Sequence, residues 1–192
     1  MWARRRYDRA MIVWVALGVV GLILVWIALG FNGLVALRNR ASNGWSEIDV
    51  QLRRRYDLIP NLVQTVQGYA AHERELFEDV AKLRSAAMGA KGVDEQAAAD
   101  HAVTAGLGRL MAVAENYPDL KASQNFLALQ EELTGTESKI AYARQFYNDQ
   151  VMKLNTKIQK FPTNLLAGAF RFTPRQFFQA EDAARGPVQA RF

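Results

Sequence analysis

Cysteine is absent from this chain of 192 residues. That absence excludes disulfides, thiolate zinc sites, cysteine nucleophiles and a lipidated lipoprotein cysteine. It leaves the redox compartment open. Histidine is nearly absent, with only His72 and His101. His72 begins the run H-E-R-E-L, which lacks the second imidazole that a zincin helix needs one turn further on. Tyr69 and Ala98 stand three residues before the two histidines, so the Glu-x-x-His pairs of a carboxylate-bridged di-iron bundle are missing. No GxSxG elbow, P-loop or Rossmann glycine fingerprint occurs. The reading is therefore no enzyme, no cofactor, no metal and no evident small-molecule substrate. Acidic clusters do exist, at Glu47, Asp49 and Asp57 and at Glu73, Glu75, Glu78 and Asp79. They alternate with Arg53, Arg54, Arg55, Arg74 and Lys82, as on solvated helical faces.

Charge of one sign is also scarcer than the net value of +5 suggests. Arg4, Arg5, Arg6 and Arg9 against Asp8 supply +3 of it. Residues 32–192 hold 20 basic and 18 acidic side chains. A nucleic-acid binder concentrates its basic patch on the folded domain, so nucleic acid is not an expected partner.

What is present first is a long apolar run. Ala10 to Phe31 reads AMIVWVALGVVGLILVWIALGF, without a charge. About 20 helical residues cross a hydrocarbon core of roughly 30 Å, and a lone segment crosses only as a helix. Trp14 and Trp26 lie near its ends, as interfacial indoles do, and Arg4, Arg5, Arg6 and Arg9 flank it. Ala28 and Gly30 resemble a signal-peptide cleavage site, but the apolar region of a signal peptide is only about 7–15 residues. The run is thus expected to be a retained anchor. Gly18 and Gly21 do not form a GxxxG dimerisation motif. The flanking arginines place the N-terminus in the cytoplasm and the rest outside, with the lipid bilayer as first partner.

Beyond Asn32-Gly33 the apolar positions follow helical spacing. Leu34, Leu37, Ala41, Trp45, Ile48, Leu52, Tyr56 and Ile59 form one stripe. Pro60 then opens a second helix or kinks a continuous one. A second stripe takes in Leu62, Val63, Val66, Tyr69, Ala70, Leu76, Phe77, Val80 and Leu83. Gly89 to Gly92 reads as a loop. A third helix runs from near Asp94 to before Pro118, with Val103, Leu107, Leu110, Met111 and Ala114 inward. The fourth runs from Asp119 to Phe161 with a seam from Phe126 through Leu133, Ile140, Tyr147 and Leu154 that resembles a coiled coil. Gly135 weakens it by about 1 kcal/mol relative to alanine. Neither strand-like alternation nor a solenoid period is found. The predicted fold is all-α: a single N-terminal transmembrane helix, then an antiparallel up-and-down four-helix bundle with a short helical or irregular C-terminal tail. In residue terms, 1–9 is a basic flank, 10–31 the anchor, 32–161 the bundle and 162–192 an aromatic tail.

Two groups of side chains stand out. Glu137, Arg144, Asn148 and Asn155 lie beside the fourth-helix seam. They form either a buried polar network that sets register or a solvated rim. The tail carries Leu165, Phe170, Phe172, Phe177 and Phe178. An up-and-down bundle returns its fourth helix toward the bilayer, so this tail either lies in the membrane interface or, the preferred reading, caps the open end of the bundle.

Three stretches together resemble the LemA family: LRNRASNGWSEIDVQLRRRYDLIPNLVQTVQGYAAHE from Leu37 to Glu73, AVAENYPDLKASQNFLALQEELTGTESKIAYARQFYN from Ala112 to Asn148, and FPTNLLAGAF from Phe161 to Phe170 followed by Phe177-Phe178. The resemblance covers nearly the whole chain, least distinctively from Gly89 to His101. Gly44 departs from it, where a bulkier residue is expected, and weakens the helix locally. The resemblance implies a single-pass membrane protein with a soluble helical bundle and no catalytic residues to carry over. Ties of the family to membrane compartments and the cell envelope imply scaffolding in a bacterial inner membrane. The expected function is a non-enzymatic scaffold or adaptor that self-associates as a homo-oligomer or binds another envelope protein. The alternative is a membrane-shaping, lipid-interacting protein that uses the aromatic tail.

Overall fold

The computed structural model describes residues 2–178, with side chains from Met11 onward. The side chains of Arg4, Arg5, Arg6 and Arg9 and the end of the tail, 179–192, lie outside the described residues. The described chain is all-α, with no strand among its described residues. In order come α1 (Trp2–Gln67), α2 (Arg74–Gly89), α3 (Gly92–Ala114), α4 (Pro118–Lys121), α5 (Gln124–Gln159) and α6 (Thr163–Ala169).

One helix, in α1, is long and apolar enough to cross a membrane. Its side chains from Met11 to Val25 are exposed, Trp14 included. So many bare apolar side chains are a cost in water and none in hydrocarbon.

The chain divides into two compact units. One comprises residues up to 40 together with 150–175; the other comprises 41–149 together with 176 onward. In the first, Leu34 of α1, Leu154 of α5 and Leu166 and Ala167 of α6 form a core. Ile27, Leu37, Ile158 and Phe172 pack against it. In the second, α1 buries Ala41, Ile48, Leu52, Tyr56 and Ile59 of the first expected stripe and Leu62 and Val66 of the second. Phe77 and Val80 of α2, Val103, Leu107 and Leu110 of α3, and Phe126, Leu133, Ile140 and Tyr147 of α5 are buried in the same unit.

Pro60 does not separate two helices. α1 passes through it and ends only at Gln67, where Gly68 follows at a helical cost of about 1 kcal/mol relative to alanine. A proline inside a helix leaves the carbonyl four residues back without its amide. Here that carbonyl belongs to Tyr56, and the Arg84 Nε of α2 donates to it at 2.7 Å. A side chain 28 residues downstream thus replaces the missing backbone donor.

The predicted fourth helix is also divided. Pro118 opens the single turn α4, which puts Leu120 in the core with no exposure, and α5 starts afresh at Gln124. Gly135 does not interrupt α5. Gly44 has a packing reason: a Cβ there would lie 3.1 Å from a Phe146 ring carbon and 3.2 Å from the Tyr147 Cα. α3 begins at Gly92, whose φ of +81° suits glycine.

Replacing Arg84 with Met is expected to lower stability by about 1 kcal/mol, the worth of one hydrogen bond to a buried carbonyl. In a Pro60→Ala background the amide of residue 60 can serve that carbonyl, and the cost of losing Arg84 should shrink. Thermal unfolding of the four proteins in detergent, followed by circular dichroism, measures the coupling. Equal costs in both backgrounds would show that Arg84 serves something else.

Candidate functional site

Three consecutive arginines on α1 face different ways, because each helical residue turns by about 100°. Arg53 bonds Asp49 one turn back at 3.0 Å, and Arg54 lies 3.9 Å from Glu132, both at the surface. Arg55 turns inward beside Leu52, Tyr56 and Ile59 and is buried. Its Nη1 donates to Asp100 Oδ1 of α3 at 3.1 Å and lies 2.9 Å from Glu137 Oε2 of α5. From α5, Arg144 Nη2 donates to the other Asp100 oxygen. Asp100 is only 1% exposed, and both its carboxylate oxygens are occupied by guanidinium groups.

Beside this centre, Gln96 Nε2 of α3 donates to the Tyr56 hydroxyl at 3.1 Å. Burial first, and the Asp100 charge second, push the Tyr56 hydroxyl from 10.0 up to about 12. Burial also pushes the Asp100 carboxyl above its ordinary value, with Arg144 and then Arg55 opposing. The Tyr56 shift is upward in an acid, so it favours the protonated folded form, and the stability it contributes is lost as pH rises from the unfolded value through the folded one.

The network is closed to substrate. At its centre the Asp100 carboxylate is out of solvent and fully engaged, while general acid-base work needs a group within reach of a reacting proton. What it does is tie α1, α3 and α5 together at one register. Breaking such a pair strands a buried charge, whereas an apolar replacement of the whole set is often tolerated.

The four polar residues picked from the α5 seam do not form one group. Glu137 and Arg144 lie in the ion network, Glu137 half exposed. Asn148 and Asn155 hold the extended tail instead. In the second unit, Asn148 Nδ2 donates to the Phe178 carbonyl at 3.0 Å, and its Oδ1 accepts from the Phe178 amide at 2.9 Å. The Tyr147 hydroxyl donates to the Gln176 carbonyl at 2.8 Å. In the first unit, Asn155 grips Arg175 the same way, at 2.8 and 2.9 Å.

The tail aromatics divide as well. Phe170 and Phe172 stack on Phe31 of α1, with centroids 4.8 and 5.9 Å away, and the Arg38 guanidinium lies 5.4 Å from the Phe172 ring centre. Leu165 is exposed. Phe178, by contrast, is 2% exposed, packed on Trp45 and under the Arg144 guanidinium at 4.7 Å. It is a core residue of the second unit. Phe177 beside it is part-exposed.

Sequence reasoning missed Arg55, Gln96 and Asp100. A signal was there: Gln96, Asp100, Val103 and Leu107 keep the helical steps of four, three and four, so the polar pair continues the apolar stripe of α3. Among the described residues no cluster of histidine or carboxylate side chains suited to a metal ion occurs.

An apolar helix able to span a bilayer, joined to an all-α chain whose central ion network is closed, defines a membrane-associated helical protein. The sequence model of the LemA family matches residues 44–192, and the chain belongs to that family. It is 28% identical to Magnetosome protein MamQ 2 and to Magnetosome protein MamQ 1 of Paramagnetospirillum magneticum, over 74% of this chain and 62% of theirs. The chain therefore spans less than two thirds of the length of those relatives. Protein LemA of Metamycoplasma hominis is 28% identical over 79% of this chain and 69% of its own.

Asp100→Ala is expected to cost about 3–5 kcal/mol, because two guanidinium groups are left without a counter-charge. Replacing Arg55 and Arg144 by Met and Asp100 by Leu together should cost far less. Thermal unfolding in detergent separates the two, and equal losses would show that charge stranding is not the dominant effect.

In an alkaline absorbance titration, one phenol step should appear near pH 12 and vanish in Tyr56→Phe. Over pH 10 to 12 the parent should lose stability relative to that variant, since only its unfolded state readily ionises Tyr56. A Tyr56 step near 10 would contradict its burial beside Asp100.

Proposed function

We propose that this chain is a membrane-anchored, non-enzymatic scaffold or adaptor, which presents a helical domain to a second copy or to another envelope protein. The observation that carries the reading is where the polar chemistry is spent. The most buried charges, Arg55, Asp100 and Arg144, are paired inside the domain, with Glu137 completing the balance. The exposed surface of α5 instead presents Tyr142, 74% exposed, and Phe146 one turn on. Aromatic side chains of this kind are common anchors in protein interfaces. The relatives named magnetosome proteins are in keeping with a role at a membrane.

The finer proposal is an up-and-down antiparallel four-helix domain in a bacterial inner membrane. Its N-terminus would be cytoplasmic and its helical domain outside, following the arginines beside the anchor. A second reading, interaction with lipid, is favoured by the cation-rich unit around α6 and is developed below.

A photo-crosslinking amino acid at Tyr142 or Phe146 in the full-length chain, in cells, tests the scaffold. A discrete adduct, with self or with one membrane protein, is expected from these positions and not from Glu78. Failure at both positions, with the chain monomeric in detergent, would overturn it. The lack of native cysteine allows a single reporter: Ser138→Cys should react with an impermeant maleimide added outside the cell, and reaction only after lysis would reverse the orientation.

A further inference from the structure

The first unit has an unusual charge balance. No Asp or Glu occurs from Arg9 to Ser46 or from Gln150 to Ala180. The same unit holds Arg38, Arg40, Lys153, Lys157, Lys160, Arg171 and Arg175. A polar surface with cations and no carboxylates among its described side chains has no partner of opposite charge within itself.

Packing fixes where these cations sit along α1. A Cβ added at Gly30 would run into Leu166 of α6, and one added at Gly33 would run into the Lys157 ammonium. Phe170 and Phe172 rest on Phe31, and Arg38 lies over Phe172. The end of α5 and all of α6 are thus docked on α1 at residues 30–38, where the uncharged run ends at Phe31. Arg38 and Lys157 therefore lie next to the end of the uncharged run.

The same unit carries bare apolar groups. Phe161 is 74% exposed and Leu165 62% exposed, one turn apart in sequence, and Phe170 is exposed beside them. Leu166 and Ala167, in the same short helix, are buried, so α6 is apolar on both its faces. Phe161 also borders a surface groove with Met152, Lys153, Lys157, Lys160 and Thr163, of about 580 Å³. Bare apolar side chains next to lysines suit a membrane interface, which buries the former among acyl chains and meets the latter with headgroups.

The α6 terminus adds an independent sign. Phe172 N donates to Ala167 O at 2.9 Å and Arg171 N to Gly168 O at 3.2 Å, a Schellman cap. The cap needs a left-handed residue, and Arg171 supplies it with φ of 56°. An exposed arginine therefore stands where glycine is the ordinary occupant.

We propose that the end of α5 and α6 form a membrane-interface collar around the exit of α1. Phe161, Leu165 and Phe170 insert into the acyl boundary of the bilayer. Lys153, Lys157, Lys160 and Arg171 bind the phosphates of anionic phospholipids. The collar rests on the reading that α1 spans the membrane, and it gives the lipid interaction a defined ligand class.

The test uses the full-length chain, which has no cysteine to remove. Single cysteines at Val19, Leu165 and Ser138 carry a nitroxide, and each protein is reconstituted in nanodiscs of phosphatidylglycerol and phosphatidylcholine. Collision with oxygen against a water-soluble nickel chelate reports depth. Val19 should read deep, Leu165 at the acyl boundary and Ser138 aqueous. The variant Lys153→Gln, Lys157→Gln, Lys160→Gln, Arg171→Gln should reduce the enrichment of phosphatidylglycerol around the protein by at least about tenfold, given the worth of each cation near an anionic surface. Leu165 reading aqueous while Val19 reads deep would overturn the collar and leave the anchor standing. Unchanged phosphatidylglycerol enrichment in the quadruple variant would overturn the headgroup assignment. Val19 reading aqueous would sink the anchor and the collar together.

Discussion

Two guanidinium groups on one buried carboxylate organise the larger unit of this protein. Asp100 on α3 receives Arg55 from α1 and Arg144 from α5, so three helices far apart in sequence meet at one point. A hydrophobic seam tolerates sliding by a turn, because leucine on leucine is much the same in either register. A buried carboxylate does not: a shift of one turn separates it from its cations and strands charge in the core. The helices above and below the network therefore inherit a fixed register. Tyr56, next to Arg55, bonds Gln96, and its own carbonyl receives Arg84 from α2, so a fourth helix is tied to the same turn of α1.

That turn explains why the sequence left Pro60 open between a new helix and a continuous one. Locally, a proline after a long amphipathic stripe is a good place to end a helix. The donor that allows the helix to continue is Arg84, and nothing in the sequence around Pro60 announces it. The stripe itself was legible: Leu34, Ala41, Ile48, Leu52, Tyr56 and Ile59 are all buried, because apolar side chains at steps of three and four have one economical way to leave water. The apolar run of α1 was legible in another way, as an unbroken stretch without charge. Asp100 was harder, since it lies in the least distinctive region and its partners come from other helices. Only its phase, in step with Val103 and Leu107, betrayed it.

The asparagines of α5 show a second kind of limit. Asn148 and Asn155 were singled out because they lie next to an apolar seam, and periodicity reports position, not partner. A side-chain amide can match a backbone amide and carbonyl together, donating with one atom and accepting with the other. Both asparagines do this to a tail that has neither helical nor strand periodicity of its own. The tail is ordered by the helix beside it, and its sequence alone could not show where each aromatic ring goes. Phe178 ends in a core under Arg144, while Phe170 and Phe172 end on Phe31.

The smaller unit follows a different logic, in which the ligand is missing from the protein itself. In the larger unit each buried cation has a carboxylate, and the charges close on themselves. In the smaller one, residues 9–40 and 150–175 contain no acid, although more than 100 residues separate them in the chain. Counting charges near the anchor in sequence cannot see this, because Lys153 to Arg175 reach α1 only through folding. Gly30 and Gly33 make the approach possible by leaving room for Leu166 and Lys157. A surface assembled in this way, with cations at the hydrocarbon boundary and bare Phe161 and Leu165 beside them, is completed by an anionic bilayer more naturally than by water. The anchor then acts as more than a tether, since the turn of α1 where it ends is also the surface on which α5 and α6 are built.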